Sequence, residues 1–195
     1  MADVQSQFQE FHQKILLNLE SNVLLREKRD TLLGDLKRNI DPNAPSYTSF
    51  HQGSYELSTG VIPVSGDPDM DVGIIFECKP EDYKDPVELK RFVRNALKRH
   101  NRTIRIRKPC VTVEYMKGDS RELHIDMAIY CTDSAGVTQL ARGRETDPAN
   151  TEYRFWEASE AKKLNGIIIN AFSGKERDQW RRVGREFRSR RELKH

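Results

Sequence analysis

Apolar residues in the first forty positions recur mostly at spacings of three and four. This spacing is typical of an amphipathic helix, because residues three and four apart lie on the same side of the helix. The pair Asp41-Pro42 ends the pattern, since proline lacks an amide hydrogen and disfavours helix in the residue before it. The sequence therefore predicts one long helix over about residues 6–40. Its apolar residues are Phe8, Phe11, Ile15, Leu19, Val23, Leu32, Leu33, Leu36 and Ile40.

The spacing of apolar residues changes in the central part of the chain, where apolar runs are short and typical of strands. Four runs predict strands, at residues 71–78, 103–107, 110–116 and 122–131. The polar turn 117–121 predicts that the last two strands form an antiparallel hairpin. Residues 86–100 carry a helical apolar pattern, so a helix is expected between the first two strands.

The C-terminal part returns to helical patterns after a loop at 134–150. Helices are predicted at 157–172 and 177–194, separated by Ser173-Gly174. The combined pattern predicts an α+β fold, in which a mixed, mostly antiparallel sheet is backed by the long N-terminal helix and the C-terminal helices.

One domain is expected to span residues 1–195, because this length suits a single compact core. Within it we expect three parts. They are an N-terminal helix over 1–40, a catalytic sheet region over 46–133 and helices over 151–195 that form an incomplete C-terminal helical part.

The composition narrows the class of protein. Hydrophobic residues make up 36% of the chain and charged residues 32%, and the apolar residues are clustered, which favours a folded domain over global disorder. The start of the chain lacks a signal-peptide pattern, and no run reaches the ~18 apolar residues of a membrane span, so a cytoplasmic protein is expected. Cys78, Cys110 and Cys131 lack CxxC spacing and lie in or beside apolar runs, which predicts buried thiols rather than a disulfide or a zinc site.

Positive charge is concentrated in two places, although the formal net charge is only +3. Residues 175–195 hold nine Lys or Arg against four acids, and residues 99–108 read RHNRTIRIRK. Such clusters suit ligands that carry phosphate groups, and they are equally typical of a solvated helix face.

The most informative segment runs from Gly53-Ser54 to Asp69-Met70-Asp71. A Gly-Ser pair in a loop can present backbone amides and a hydroxyl to a phosphate, but by itself the pair is a weak signal. Asp69 and Asp71 share one face of a strand, because side chains alternate along a strand with a period of two. Two carboxylates placed in this way repel each other unless a hard cation lies between them.

Asp126 adds a third carboxylate, within the otherwise apolar strand 122–131. A buried and unpaired carboxylate is unfavourable, so Asp126 requires a cation or a basic partner. Three acids on neighbouring strands make a two-metal site for phosphoryl transfer plausible. Two alternatives stay open: Asp67 shares the parity of Asp69 and Asp71 and could compete as a ligand, and His124 shares the parity of Asp126 but is more often structural in such a position.

These motifs together resemble a known superfamily. Gly53-Ser54, then Asp69-Met70-Asp71 entering an apolar strand, and Asp126 inside a later strand resemble the nucleotidyltransferases related to DNA polymerase beta. The long helix in front and the order of the tail look most like the bacterial CD-NTase (cGAS/DncV-like) enzymes, which are relatives of cyclic GMP-AMP synthase and oligoadenylate synthase. The motif match covers roughly residues 50–131.

The resemblance implies a role for each acid. Asp69 and Asp71 would hold two Mg²⁺ ions, with Mn²⁺ as an alternative, and Asp126 would complete the second ion. Gly53 and Ser54 would bind the β- and γ-phosphates of a nucleoside triphosphate.

Basic residues of the last predicted helix would make further triphosphate contacts. The candidates are Arg181, Arg182 and Arg185.

By the same resemblance, the chain would join nucleoside triphosphates into cyclic or linear oligonucleotide second messengers for antiphage defence (CBASS), with release of pyrophosphate. Family members carry a helical C-terminal domain that closes the nucleotide cleft, so further C-terminal helices or a protein partner are expected. Nucleic-acid binding is compatible with this interpretation but not required, and no membrane partner is expected. The alternatives are a minimal nucleotidyltransferase, which would modify a small molecule or adenylylate a toxin, and a non-catalytic RNA-binding module.

Overall fold

The computed structural model of the chain describes residues 4–15, 19–57, 59–61, 67–100, 102–118 and 120–171. Helices among these residues are α1 (Gln5–Ile15), α2 (Leu19–Asn39), α3 (Gly53–Glu56), α4 (Val87–Leu97) and α5 (Ala161–Ala171). Strands are β1 (Tyr47–Gln52), β2 (Asp69–Phe76), β3 (Thr103–Ile106), β4 (Val111–Lys117), β5 (Ser120–Thr132), β6 (Thr138–Arg142) and β7 (Phe155–Ala158).

The strands form one sheet in the order β1-β2-β5-β4-β3, and β6 and β7 extend it from the far end of β5. β2 and β5 run parallel, whereas every other described pair is antiparallel. The predicted α+β class with a mixed, mostly antiparallel sheet is therefore confirmed. The long strand β5 is central, because it pairs with β2, β4 and β6.

The hydrophobic core lies between one face of the sheet and helices α2 and α4. Leu32 and Leu36 of α2 and Val93 of α4 are fully buried in one cluster with Val72 and Ile125 of the central strands. Because side chains alternate along each strand, burying this face leaves the opposite face of β2 and β5 for other residues. That opposite face carries the aspartates singled out in the sequence.

Lys90 ties α4 to two connecting segments from within the core. Its side chain is fully buried, and Nζ donates hydrogen bonds to the carbonyl oxygens of Arg107 at 3.0 Å, Lys108 at 2.8 Å and Gly143 at 3.0 Å. These three acceptors match the three N–H donors of an ammonium group. A polar group that would be unfavourable in the core is thus fully hydrogen-bonded.

The N-terminal helix prediction agrees with the structure at its end and differs at its start. α2 ends at Asn39, just before Asp41-Pro42, as predicted. The prediction of one helix over 6–40 corresponds to α1 and α2, and residues 16–18 between them lie outside the described residues. Phe8 and Phe11 of α1 are 65% and 59% exposed, so these two apolar residues do not join the core.

Three strands were not predicted from the sequence. β1, β6 and β7 are short, and β6 and β7 lie beyond the predicted sheet bounds of 46–133. The predicted helix at 157–172 was wrong at its start, since residues 157–158 belong to β7 and α5 begins at Ala161. Pairing with a distant strand outweighed local helical periodicity there. The predicted helix at 177–194 lies outside the described residues.

The three cysteines are free thiols. Cys110 and Cys131 are buried, as predicted, whereas Cys78 is half-buried. Within the described ranges, no helix combines the length and apolar character that crossing a membrane requires.

Candidate active site

The parallel pairing of β2 with β5 brings the three predicted acids to one face of the sheet. Asp71 lies directly opposite Asp126, and Asp69 lies opposite His124. Residues two apart on a strand share a face, and paired residues of adjacent strands lie side by side. Asp69, Asp71 and Asp126 therefore project from the face opposite the α2–α4 core.

The three carboxyl groups influence one another electrostatically. The pKa of Asp71 is raised to about 6, first by burial and then by the negative charges of Asp69 and Asp126, while His124 acts in the opposite direction. Like charges at short distance disfavour ionisation, so the neighbouring carboxylates add to the effect of burial on this pKa. A bound cation would relieve that repulsion.

Several features of the acids suit a hard divalent cation such as Mg²⁺. Carboxylate oxygens are the ligands that such ions prefer, and Asp71 is destabilised as an anion unless positive charge is near. Among the described residues, no three His, Cys, Asp or Glu side chains already stand in a ready-made metal-binding arrangement. The Asp126 carboxylate also accepts a hydrogen bond from a hydroxyl group.

That hydroxyl group belongs to Thr112 of β4. Thr112 lies opposite Asp126, and its Oγ1 donates a 2.6 Å hydrogen bond to Oδ1 of Asp126. Thr112 is 1% exposed, and Cys110 Sγ lies 3.5 Å from the same hydroxyl. Sequence reasoning missed Thr112, because a threonine in a strand is common and its partner is distant in sequence.

Asp67 pairs with a histidine instead of joining Asp69 and Asp71. Asp67 Oδ2 lies 2.6 Å from Nδ1 of His124, and the side chain of Asp67 is only 5% exposed. The contact gives His124 the structural role that its position suggested. It also favours Asp69 over Asp67 as the second acid beside Asp71.

The Gly-Ser motif follows β1 and lies against the acids. Gly53 has a positive φ of 67°, and a Cβ atom at this position would lie 2.2 Å from Oδ2 of Asp71. Only glycine allows this backbone to approach the carboxylate so closely. Ser54 follows in the short helix α3, and its carbonyl oxygen accepts a 2.8 Å hydrogen bond from the amide of Thr59.

Two tyrosines of the central strands serve the packing of the sheet on its two faces. Tyr130 is 2% exposed, packs against Phe50 and donates a 3.0 Å hydrogen bond to Oε1 of Gln52, the residue opposite Asp71. Tyr115 is 5% exposed and lies in the core cluster. Both positions match the packing role that is more common for aromatic residues in strands than base stacking.

The basic stretch 99–108 is divided between two roles. Arg99 and Arg102 form ion pairs of 2.6 and 2.7 Å with Asp35 of α2, whose carboxylate is buried. They therefore stabilise the packing of α2 rather than forming a helix face in solvent. Arg105 of β3 and Arg107, which follows that strand, lie on the face of the sheet that carries the aspartates.

The predicted triphosphate contacts of the last helix lie outside the described residues. They are Arg181, Arg182 and Arg185.

Comparison with known proteins finds a matching family model and solved structures of similar fold. Residues 48–130 match the family model described as the nucleotidyltransferase domain of cyclic GMP-AMP synthase DncV-like proteins. The fold is similar to that of Vibrio cholerae DncV in its apo form, with TM-score 0.56 and 17% identity over 82% of this chain and 58% of that one.

Two liganded structures of the same Vibrio cholerae protein are similar to the same degree. The 3'-deoxy ATP-bound form has TM-score 0.57 at 17% identity, and the cyclic AMP-GMP synthase in complex with the linear intermediate 5' pppA(3',5')pG has TM-score 0.55 at 16% identity. Each match covers 82% of this chain and 57% of the other, so this chain spans less than two thirds of their length. Through residues 48–130, the chain is thus similar to the nucleotidyltransferase domain of DncV-like proteins.

Proposed function

We propose that the chain transfers a nucleotidyl group from a nucleoside triphosphate to a hydroxyl group, using Asp69, Asp71 and Asp126. The observation that carries this proposal is the register of β2 and β5, which sets Asp71 beside Asp126 on the open face of the sheet. The acceptor oxygen forms a bond to the α-phosphorus, the bond from that phosphorus to the bridging oxygen breaks, and pyrophosphate leaves. The match of residues 48–130 to the DncV-like nucleotidyltransferase domain supports the same reaction.

Asp69, Asp71 and Asp126 would hold divalent cations, and Mg²⁺ and Mn²⁺ are the ions that we propose. A pair of such ions supplies charge stabilisation at the attacking and leaving oxygens of an in-line displacement. Ionised Asp71 is stabilised by that positive charge, whereas without it burial and the neighbouring acids raise its pKa to about 6. We propose that Asp126, whose carboxylate is oriented by Thr112, accepts the proton of the acceptor hydroxyl.

Gly53 and Ser54 would bind the β- and γ-phosphates. The positive φ of Gly53 and its close approach to Asp71 support a phosphate-binding role for this turn of the backbone. Backbone N–H groups in such turns stabilise the negative charge that grows on a leaving phosphate. Arg181, Arg182 and Arg185 remain predicted additional contacts to the triphosphate.

We infer that the substrates are nucleoside triphosphates and that the products are cyclic or linear oligonucleotides. Solved structures of Vibrio cholerae DncV contain 3'-deoxy ATP, GTP or the linear intermediate 5' pppA(3',5')pG. A role in bacterial antiphage signalling, a cytoplasmic location and a need for further C-terminal helices or a protein partner are predictions from the same resemblance. Adenylyl transfer to a toxin or a small molecule uses the same acids and is distinguished by its products.

The reaction is tested by incubating the protein with α-³²P-labelled ATP and GTP, together and separately, and separating the products by thin-layer chromatography. We expect phosphatase-resistant oligonucleotides without any added acceptor, and loss of activity with EDTA. Asp71→Asn and Asp126→Asn should lower turnover by at least ~100-fold with the fold retained by circular dichroism. Pyrophosphate release that requires an added protein or small molecule would favour the alternative transferase, and no transfer under any of these conditions contradicts the proposal.

Metal binding is tested separately from turnover. Mn²⁺ affinity measured by electron paramagnetic resonance should fall by at least ~10-fold in Asp69→Asn and Asp71→Asn, because each loses a carboxylate ligand. Asp67→Asn is the matched control, since it removes an equal charge from an aspartate that pairs with His124. An equal loss of affinity in Asp67→Asn would contradict the assignment of Asp69 as a ligand.

A further inference from the structure

Two arginines lie on the aspartate-bearing face at the far edge of the sheet. Arg105 of β3 lies opposite Thr112, and Thr112 lies opposite Asp126, so the three residues form one row across β3, β4 and β5. Neighbouring strands are ~4.8 Å apart, which puts the backbone of Arg105 about 10 Å from that of Asp126. Arg107 follows at the end of the same strand with the same parity.

A single buried acid holds both arginines in place. Nε of Arg105 and Nη2 of Arg107 donate hydrogen bonds of 3.1 and 3.0 Å to the two carboxylate oxygens of Glu114, which is 7% exposed. Burial by itself raises the pKa of Glu114, but the hydrogen bonds from Arg105 and Arg107 outweigh it, and the pKa lies below its ordinary value. Glu114 is therefore ionised at neutral pH.

Arg105, Arg107 and Glu114 together carry a net charge of +1, and the two arginine side chains are exposed to solvent. The side chains of Arg105 and Arg107 are 61% and 47% exposed, whereas Glu114 lies beneath them. Each guanidinium keeps N–H groups beyond those that bond Glu114, because arginine has five donors. A phosphate group above the pair could therefore be bound without breaking the bonds to Glu114.

The two flanks of the aspartates differ in a way that matches the two substrates of the reaction. Gly53 and Ser54 lie on the β1–β2 flank, where the donor triphosphate is assigned. Arg105 and Arg107 lie on the β4–β3 flank, next to Asp126, where the attacking hydroxyl is assigned. The charge of the second flank is opposite to that of a nucleotide phosphate.

We propose that Arg105 and Arg107 bind a phosphate group of the acceptor nucleotide and so determine where the acceptor lies beside Asp126. The inference rests on the proposed nucleotidyl transfer. It assigns the β3 edge a role in acceptor selection that is separate from holding the donor triphosphate.

Acceptor use is measured with labelled 2',3'-dideoxy ATP as the donor, because it lacks both ribose hydroxyls and cannot accept. Guanosine, GMP and GTP, and the matching adenosine series, serve as acceptors. For Arg105→Gln we expect the KM for a phosphorylated acceptor to rise ~10-fold, with the donor KM within twofold and kcat/KM for the free nucleoside unchanged. Arg105 is chosen because Arg107 continues to pair with Glu114 in this variant.

Lys37→Gln with Lys98→Gln is the control for loss of positive charge. Both lysines are exposed and belong to the helix layer on the other side of the sheet, so acceptor KM should not change. The double variant Arg105→Gln/Arg107→Gln, combined with Glu114→Gln because the buried carboxylate would lose both arginine partners, should abolish the preference for phosphorylated acceptors. An unchanged acceptor KM in Arg105→Gln, or a rise in donor KM alone, overturns the proposal.

A binding measurement that requires no turnover tests this inference separately from the proposed function. Isothermal titration calorimetry with GMP and guanosine, and with AMP and adenosine, measures whether the phosphate adds affinity. We expect the arginine variants to lose the extra affinity of the monophosphate while nucleoside binding is unchanged. Equal monophosphate affinity in wild type and variants overturns the inference even if transfer is observed, whereas absent transfer with phosphate-dependent binding contradicts only the reaction.

Discussion

Thr112 and Asp126 face each other on antiparallel strands β4 and β5, and a 2.6 Å hydrogen bond joins the threonine hydroxyl to Oδ1 of the aspartate. Cys110 Sγ lies 3.5 Å from that hydroxyl, and burial raises the pKa of this thiol to about 12, so it stays protonated and can donate to Thr112. The Asp126 carboxylate is thus oriented by a hydroxyl that is itself held in place. Thr112 is a positioning residue for the proposed chemistry.

Replacing Thr112 with valine keeps the shape of the side chain and removes the hydroxyl. We expect kcat to fall ~10- to 100-fold with little change in the KM for the donor, because misaligned Asp126 affects the transition state more than binding. Thr112→Ser restores the hydroxyl and should recover most of the activity. Equal kcat in Thr112→Val and wild type, measured by pyrophosphate release, would show that Asp126 needs no such alignment.

Gly53→Ala should disturb the site through a direct clash. The new Cβ would lie 2.2 Å from Oδ2 of Asp71, and the φ of 67° is strained for alanine by about 1 kcal/mol. Gly118 is the matched control, since its φ is 61° and nothing lies within 4 Å of a Cβ there. Both variants should lose similar stability from the backbone, but only Gly53→Ala should weaken Mn²⁺ binding and turnover. Similar turnover in the two variants would contradict the close approach to Asp71.

Asp71 should make the metal-free protein less stable as pH rises. Its carboxyl group has an ordinary pKa of 3.8 and a folded-state pKa of about 6, so the folded protein retains a proton that the unfolded chain releases. The stabilising effect of that proton is complete below pH 3.8 and is lost as pH rises through about 6. Asp71→Asn in EDTA should therefore be more stable than wild type at pH 7, by roughly 1–2 kcal/mol after solvent screening.

Urea unfolding between pH 4 and 7.5, with and without Mn²⁺, measures this difference. We expect the advantage of Asp71→Asn to shrink toward pH 4 and to reverse at pH 7 when metal is added, because the wild type binds the ion more tightly. A difference in the free energy of unfolding that is independent of pH would contradict a raised pKa of Asp71 as its cause.

Lys90→Met tests the hydrogen bonds that join α4 to its connecting segments. The change leaves the carbonyl oxygens of Arg107, Lys108 and Gly143 without their ammonium donor. Because these acceptors lie around a fully buried side chain, we expect the free energy of unfolding to fall by about 2–4 kcal/mol. Lys37→Met, at an exposed position of α2, should change it by less than ~0.5 kcal/mol. A loss equally small in Lys90→Met would show that water replaces the lysine.

Patterns of short range could be predicted from the sequence because they depend on neighbouring residues. The end of α2 before Asp41-Pro42 follows from the chemistry of proline, and the hairpin of β4 and β5 follows from its polar turn. β6 and β7 were missed because short strands are stabilised by partners far away in the chain, and local pattern carries little information about them. The same reason explains the error at residues 157–158, where the local pattern predicted a helix but the residues pair with β6 as a strand.

Strand periodicity is a local property of the backbone, so the amino-acid sequence was enough to predict that Asp69 and Asp71 share a face and that a strand containing Asp126 follows. The position of Asp71 beside Asp126 could not be predicted in this way, because it depends on the parallel register of two strands more than forty residues apart. Contacts between distant segments also pair Asp67 with His124 and Thr112 with Asp126. Within the basic stretch 99–108, Arg102 packs with α2 through Asp35, whereas Arg105 lies on the open face of the sheet. Hydrogen bonds and ion pairs between distant segments exist only once the strands are assembled, so no local pattern can specify them.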